Sequence, residues 1–192
     1  MTPIVLGSSS LFRKQLLEKL GLPFVCHSPK VDETPFPDEP ADELVKRLAL
    51  SKAQAVAMAH PQALVIASDQ VSLLDGTING KPGTREKAIE QLCASSGKRV
   101  RFYTSLCVYD AKTRRHVIDV ETYDVNFRTL TQEQVARYVD KEVPFNCAGG
   151  FKSEGYGITL FNSLEGRDPN ALIGLPLILL VEMLQKFGID LP

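Results

Sequence analysis

The sequence predicts a mixed α/β protein, a sheet flanked by helices and arranged as two lobes with a cleft between them. Three observations carry this expectation. A short apolar run, Ile4-Val5-Leu6, passes through Gly7-Ser8-Ser9-Ser10 directly into a helical pattern. A continuous apolar run, Ala63-Leu64-Val65-Ile66-Ala67, has the composition of a central strand covered on both faces. Two long strand-like segments, 99–110 and 116–127, flank a basic loop and look like an antiparallel pair.

The elements follow in order. Met1-Thr2-Pro3-Ile4-Val5-Leu6 lacks the basic start of a secretory signal and reads as a first strand. Leu16, Leu17 and Leu20 mark the buried side of the first helix, and Gly21 is its stop signal. Residues 24–27 read as a second strand. The polar connection 28–40 holds Pro29, Pro35, Pro37 and Pro40, too many for regular structure. Over 41–59, Val45, Leu48, Ala49, Val56 and Ala59 recur on one helical face, and His60-Pro61 ends it. The run 63–67 then leads into Ser68-Asp69-Gln70, which places Asp69 at the end of a strand. Asp75-Gly76 marks a hairpin turn within 73–78. A helix over 84–95 has Thr84 as its N-cap candidate. After the two long strands come a helix over 131–141, a glycine-rich stretch over 148–157, Asp168-Pro169-Asn170, Gly174-Leu175-Pro176 and a closing amphipathic helix over 177–187. No linker interrupts residues 1–192, which read as a single domain.

Composition narrows the function. Lys plus Arg total 22 against 23 for Asp plus Glu, a net charge of -1. That balance argues against a stable nucleic-acid partner or a membrane-coating role, but not against a small anionic ligand. No apolar run is long enough to span a bilayer. Cys26, Cys93, Cys107 and Cys147 form no Cys-x-x-Cys pair, so reduced thiols in a cytoplasmic protein are expected.

Several residues have chemical potential. Ser8-Ser9-Ser10 at a helix N-terminus, with Arg13 one turn inside, suits a phosphate; serine capping beside a surface arginine is the plainer alternative. Lys52 interrupts an otherwise apolar helical stripe, so it either snorkels past the core or reaches an anion. Asp69, together with Asp32-Glu33, supplies oxygen ligands for a divalent cation or a general base; an Asp capping a turn is the alternative. Lys81 lies on a stiffened Gly80-Lys81-Pro82-Gly83 loop and would by itself be a solvated cation. The stretch 148–157 admits close backbone approach but is neither a dinucleotide fingerprint nor a P-loop. His27, His60 and His116 have no metal-ligand spacing.

Taken together, Leu6-Gly7-Ser8-Ser9-Ser10-Leu11-Phe12-Arg13, Val31-Asp32-Glu33, Leu50-Ser51-Lys52-Ala53, Ala67-Ser68-Asp69-Gln70, Gly80-Lys81-Pro82, Cys147-Ala148-Gly149-Gly150-Phe151 and Gly174-Leu175-Pro176 resemble the Maf family of nucleoside triphosphate pyrophosphatases, in the family's order and across the chain. The resemblance implies a Maf/ITPase-like twisted mixed sheet in two lobes around a deep cleft, and commonly a homodimer. It implies cleavage between the α and β phosphates with a divalent metal cation (Mg, Mn or Co). By the same resemblance Asp69 is the proton acceptor, Ser8, Arg13, Lys52 and Lys81 bind phosphate, and Glu33 with Asp69 holds the metal.

Phe12, Gln70 and the segment Phe151-Lys152-Ser153-Glu154-Gly155 resemble the branch of that family acting on 7-methyl-GTP. Members acting on dTTP and UTP commonly carry Arg and Gln in place of Phe12 and Glu154. The chemistry agrees with the first branch. A carboxylate accepts from the adjacent N–H donors of a guanine edge, and N7 methylation makes the purine a cation suited to an aromatic face. A dTTP or UTP pyrophosphatase is the alternative within the family, and a nucleotide-binding regulator of septum formation is the alternative from another class.

Overall fold

The structure is a computed structural model and describes residues 2–192; Met1, which opens the expected first strand, lies outside them. The seven strands are β1 (Ile4–Leu6), β2 (Phe24–Cys26), β3 (Leu64–Leu74), β4 (Thr77–Asn79), β5 (Arg99–Asp110), β6 (His116–Phe127) and β7 (Phe161–Glu165). The helices are α1 (Leu11–Glu18), α2 (Ala41–Ala59), α3 (Arg85–Ser95), α4 (Gln132–Glu142), α5 (Pro169–Ile173) and α6 (Leu177–Gln185). The strand order is β2-β1-β3-β5-β6-β7, with β4 paired to β3. The sheet is mixed: β1 pairs in parallel with β2 and β3, whereas β4 and β7 pair antiparallel with β3 and β6. A mixed sheet flanked by helices is the expected fold class.

Two compact units divide the chain, one of residues 1–69, 104–121 and 168–192, the other of 70–103 and 122–167. In the first unit, alternate strand residues feed two cores, as the two-residue repeat of a strand dictates. Ile4, Leu6, Leu64, Ile66, Leu106 and Val108 pack against Leu16 and Leu17 of α1 and Leu180, Met183 and Leu184 of α6. Val5, Val65, Ala67 and Cys107 face the other way and meet Ala49, Ala53 and Val56 of α2. In the second unit Phe151 is packed edge-on against Phe102, Phe127 and Phe161, with ring centroids 5.4, 5.6 and 4.8 Å away.

Most elements match their sequence signals. The α2 helix spans 41–59, Thr84 caps α3 by accepting from the Lys87 N–H, and Thr131 caps α4 in a full capping box with Gln134. Asp75 and Gly76, both at positive φ, turn β3 into β4. One expectation is corrected. Asp69 does not end its strand, because β3 runs eleven residues to Leu74 and carries Asp69 in its interior. Beyond Ala67 the strand continues as an edge for β4, so the polar residues at 68–70 do not terminate it. One strand, β7, is Phe-Asn-Ser-Leu-Glu and carries too little pattern to be anticipated, and α5, with five residues, is too short for a periodic one. Asp168-Pro169, a cap followed by a first-turn proline, is the signal that marks α5.

Candidate active site

In the first unit two carboxylates meet at Lys52. Lys52 lies on the buried stripe of α2 beside Leu48, Ala49, Ala53 and Val56. An ammonium in such a stripe requires partners. It has two: Lys52 Nζ donates to Asp69 Oδ1 at 2.5 Å and lies 2.9 Å from Glu33 Oε1. Lys52 and Asp69 are both buried, while Glu33 stands at the surface. The snorkelling alternative is therefore replaced by a carboxylate–ammonium–carboxylate line. Ser105 of β5 fixes the Asp69 backbone: its Oγ accepts from the Asp69 N–H at 3.1 Å and donates to the Val45 carbonyl at 2.6 Å. Asp32 faces its own loop, accepting from the Thr34 N–H and hydroxyl.

Arg13 joins this group from α1. Its Nε donates to the Gly174 carbonyl at 2.8 Å. Burial lowers the pKa of the guanidinium from its ordinary value, while the carboxylates of Asp69 and Glu33 pull it back up. It stays charged, as arginine does in proteins. Ser10 is the N-cap of α1 and accepts from the Arg13 N–H, and buried Ser8 accepts from the Ser10 N–H. The serine cap and the inward arginine thus coexist. Phe12, half-buried, is in the first turn of the same helix.

The second unit carries Gln70, Lys81 and Glu154. Gln70 is half-buried and Lys81 is exposed. Glu154 is exposed and is approached by the Ser153 hydroxyl at 3.4 Å. Its loop is built on Glu142 at the end of α4. Lys152 Nζ donates to the Glu142 carbonyl at 2.9 Å, and the Tyr156 N–H donates to Glu142 Oε2 at 3.0 Å. Gly157 closes the loop so tightly that a Cβ there would sit 2.2 Å from the Lys152 carbonyl oxygen. Burial pushes the Cys147 thiol up to about 11, and its charged surroundings include Lys152, Glu154 and Lys81.

The structure therefore brings Arg13, Glu33, Lys52 and Asp69 into one electrostatic group within the first unit, with Ser8 at the end of β1 nearby in the chain. Ser68 and Asp168 stand in the motifs Ala67-Ser68-Asp69-Gln70 and Asp168-Pro169-Asn170 without a role of their own, and Ser105 and Glu142 stand in none. Asp168 stands before Pro169 as a cap signal; an isolated serine in a strand or a glutamate at a helix end carries no such mark. His27 and His60 are in contact, ring nitrogens 3.0 Å apart, and no cluster of three or more His, Cys, Asp or Glu fit to hold a metal exists among the described residues. Asp69 and Glu33 do converge on one cationic centre, the Lys52 ammonium. A pair of hard oxygen donors is the ligand chemistry that a divalent cation prefers.

The first unit thus combines, on a mixed α/β fold, a buried lysine, an inward arginine and two carboxylates that converge on the lysine. The Maf-like protein family pattern matches residues 3–187, and the chain belongs to that family. It is 55% identical to the 7-methyl-GTP pyrophosphatase of Vibrio parahaemolyticus over 98% of this chain and 97% of that one. Proteins of the same name from Pseudoalteromonas atlantica and Alcanivorax borkumensis are 54% and 53% identical, over 97% and 98% of this chain and 96% of each relative. Among solved structures it is similar to the Staphylococcus aureus Ham1 protein, with 17% identity and a TM-score of 0.49 over 81% of this chain and 89% of that chain.

Proposed function

We propose that the protein is a hydrolase that converts 7-methyl-GTP and water to 7-methyl-GMP and diphosphate. The observation that carries the chemistry is the buried Lys52–Asp69 pair with Glu33 on the same ammonium. Full-length identity of 53–55% to proteins named for this activity supports the substrate.

Asp69 orients the attacking water and takes its proton. Its Oδ1 is engaged by Lys52 and its backbone by Ser105, which holds the carboxylate in one orientation. The water oxygen bonds to one phosphorus of the α–β bridge as that phosphorus's bond to the bridging oxygen breaks: attack at the α phosphorus sends the bridging oxygen and the bond's electron pair out on diphosphate, and attack at the β phosphorus sends both out on 7-methyl-GMP. Arg13, Lys52 and Lys81 bind phosphate oxygens, with the Ser8 hydroxyl as a further donor. Asp69 and Glu33 are the residues that would hold a divalent cation, Mg, Mn or Co, and such a cation would supply charge neutralisation to the triphosphate. Glu154 accepts from the guanine edge, Phe12 stacks on the cationic ring, and Gln70 assists base selection beside Asp69.

The chain acts as one functional domain over residues 1–192, as a homodimer in the cytoplasm, without a membrane or stable nucleic-acid partner. No helix among the described residues is long and apolar enough to cross a membrane, and all four cysteines are free. The test is product analysis by phosphorus NMR with 7-methyl-GTP and Mg. The expected products are the monophosphate and diphosphate; release of inorganic phosphate with a nucleoside diphosphate, or no turnover with any of the three metals, overturns the reading.

A further inference from the structure

The geometry points to Asp168 and Ser68 as positioning residues that aim the Arg13 guanidinium through the Gly174 carbonyl; this rests on Arg13 being a phosphate ligand. The Gly174 oxygen accepts two hydrogen bonds, from Arg13 Nε at 2.8 Å and from Ser68 Oγ at 2.9 Å. Ser68 is fully buried and adjoins Asp69 on β3, so one carbonyl ties the arginine to the strand bearing the proposed base.

Gly174 lies between α5 and α6 with φ 128° and ψ 7°, a conformation open to glycine and strained for other residues. Its α-carbon faces the arginine: a Cβ built there would lie 3.4 Å from Arg13 Nε. Asp168 fixes this turn from both sides. Its Oδ1 accepts from the Asn170 N–H at 2.8 Å and from the Asn170 amide at 2.7 Å, while its Oδ2 accepts from the Ile178 N–H at 2.8 Å. One buried carboxylate thus caps both helices flanking Gly174, and the Asn170 carbonyl accepts from the Gly174 and Leu175 N–H groups.

The consequence for Arg13 is directional. With Nε committed to a fixed carbonyl, the guanidinium plane is set and the Nη groups remain for a ligand. The fork geometry of arginine makes this useful, because two parallel bonds to a phosphate require the plane to be fixed beforehand. Lysine, with its rotating ammonium, has no such requirement. Asp168 and Ser68 touch no substrate in this account; they hold the residue that does.

The test is a double-mutant cycle read as kcat/KM for 7-methyl-GTP, with Asp168→Asn and Ser68→Ala each made alone and in an Arg13→Ala background. Each single variant is expected to lose about ten- to a hundredfold, the scale of a misplaced binding group, and to lose less than about threefold further once Arg13 is absent. Undiminished losses in the Arg13→Ala background, or normal kcat/KM in either single variant, overturn the inference. If Asp168→Asn does not fold, Ser68→Ala decides alone. An Arg13→Ala protein with wild-type kcat/KM overturns instead the reading of Arg13 as a phosphate ligand, so the two failures are told apart.

Discussion

Lys52 Nζ and Asp69 Oδ1 form a 2.5 Å ion pair in which each side chain is 9% exposed. The same ammonium meets Glu33, whose side chain is 60% exposed, so a single cation links an inner carboxylate to an outer one. A charge placed in the apolar stripe of α2 is stable only with such partners, and the arrangement fixes Asp69 before any substrate arrives.

Asp69→Asn keeps the shape but removes the proposed proton acceptor. Turnover of 7-methyl-GTP should fall about a hundredfold or more while nucleotide affinity changes little. Steady-state kcat together with equilibrium binding of the nucleotide checks this, and wild-type kcat would take Asp69 out of the catalytic role.

Lys52→Ala leaves the Asp69 carboxylate buried without its cation. It should cost both activity and about 3 kcal/mol of stability in urea unfolding. Lys52→Met with Asp69→Asn removes both charges and should recover most of that stability but no activity. Equal stability of the single and double variants would show that the pair is not the source of the cost.

Glu33→Gln should raise the Mg concentration needed for half-maximal activity about tenfold, since hard cations prefer a charged oxygen ligand. A metal titration at saturating 7-methyl-GTP measures it. An unchanged midpoint would exclude Glu33 as a metal ligand.

Asp124 gives stability a pH dependence of its own. Hydrogen bonds from Arg101, and then from Arg99, hold its carboxyl below the ordinary carboxylate value despite partial burial. Because the folded pKa is depressed, this stabilisation is complete above the unfolded pKa and is lost as pH falls through the folded one. Asp124→Asn should therefore have a lower Tm than wild type at neutral pH, and the gap should close as pH drops below about 4. A gap constant from pH 7 to pH 3 would contradict the assignment.

Much of this was legible in the sequence because it rests on local chemistry. The period of Val45, Leu48 and Val56 defined α2 and made Lys52 conspicuous, and Thr84 and Thr131 marked helix starts by their capping chemistry. What stayed hidden depends on contacts distant in the chain. Asp69 lies inside β3 because β4 folds back along the strand's second half. Ser105 supports Asp69 from a strand 36 residues away, and Gly174 meets Arg13 across 161 residues. Single residues with such roles leave no periodic trace.

The central claim, that this chain reads a methylated guanine and cleaves its triphosphate, is tested most directly by kcat/KM for 7-methyl-GTP, GTP, UTP and dTTP in wild type, Glu154→Gln, Phe12→Arg and the double variant. The wild type should prefer 7-methyl-GTP. Glu154→Gln should lower activity on it by about ten- to a hundredfold, the value of one good bidentate pair. Phe12→Arg adds like-charge repulsion against the cationic base, so the double variant should shift furthest toward pyrimidines. A wild type that prefers UTP or dTTP, or a ratio of 7-methyl-GTP to pyrimidine turnover that stays constant across the four proteins, would contradict the account.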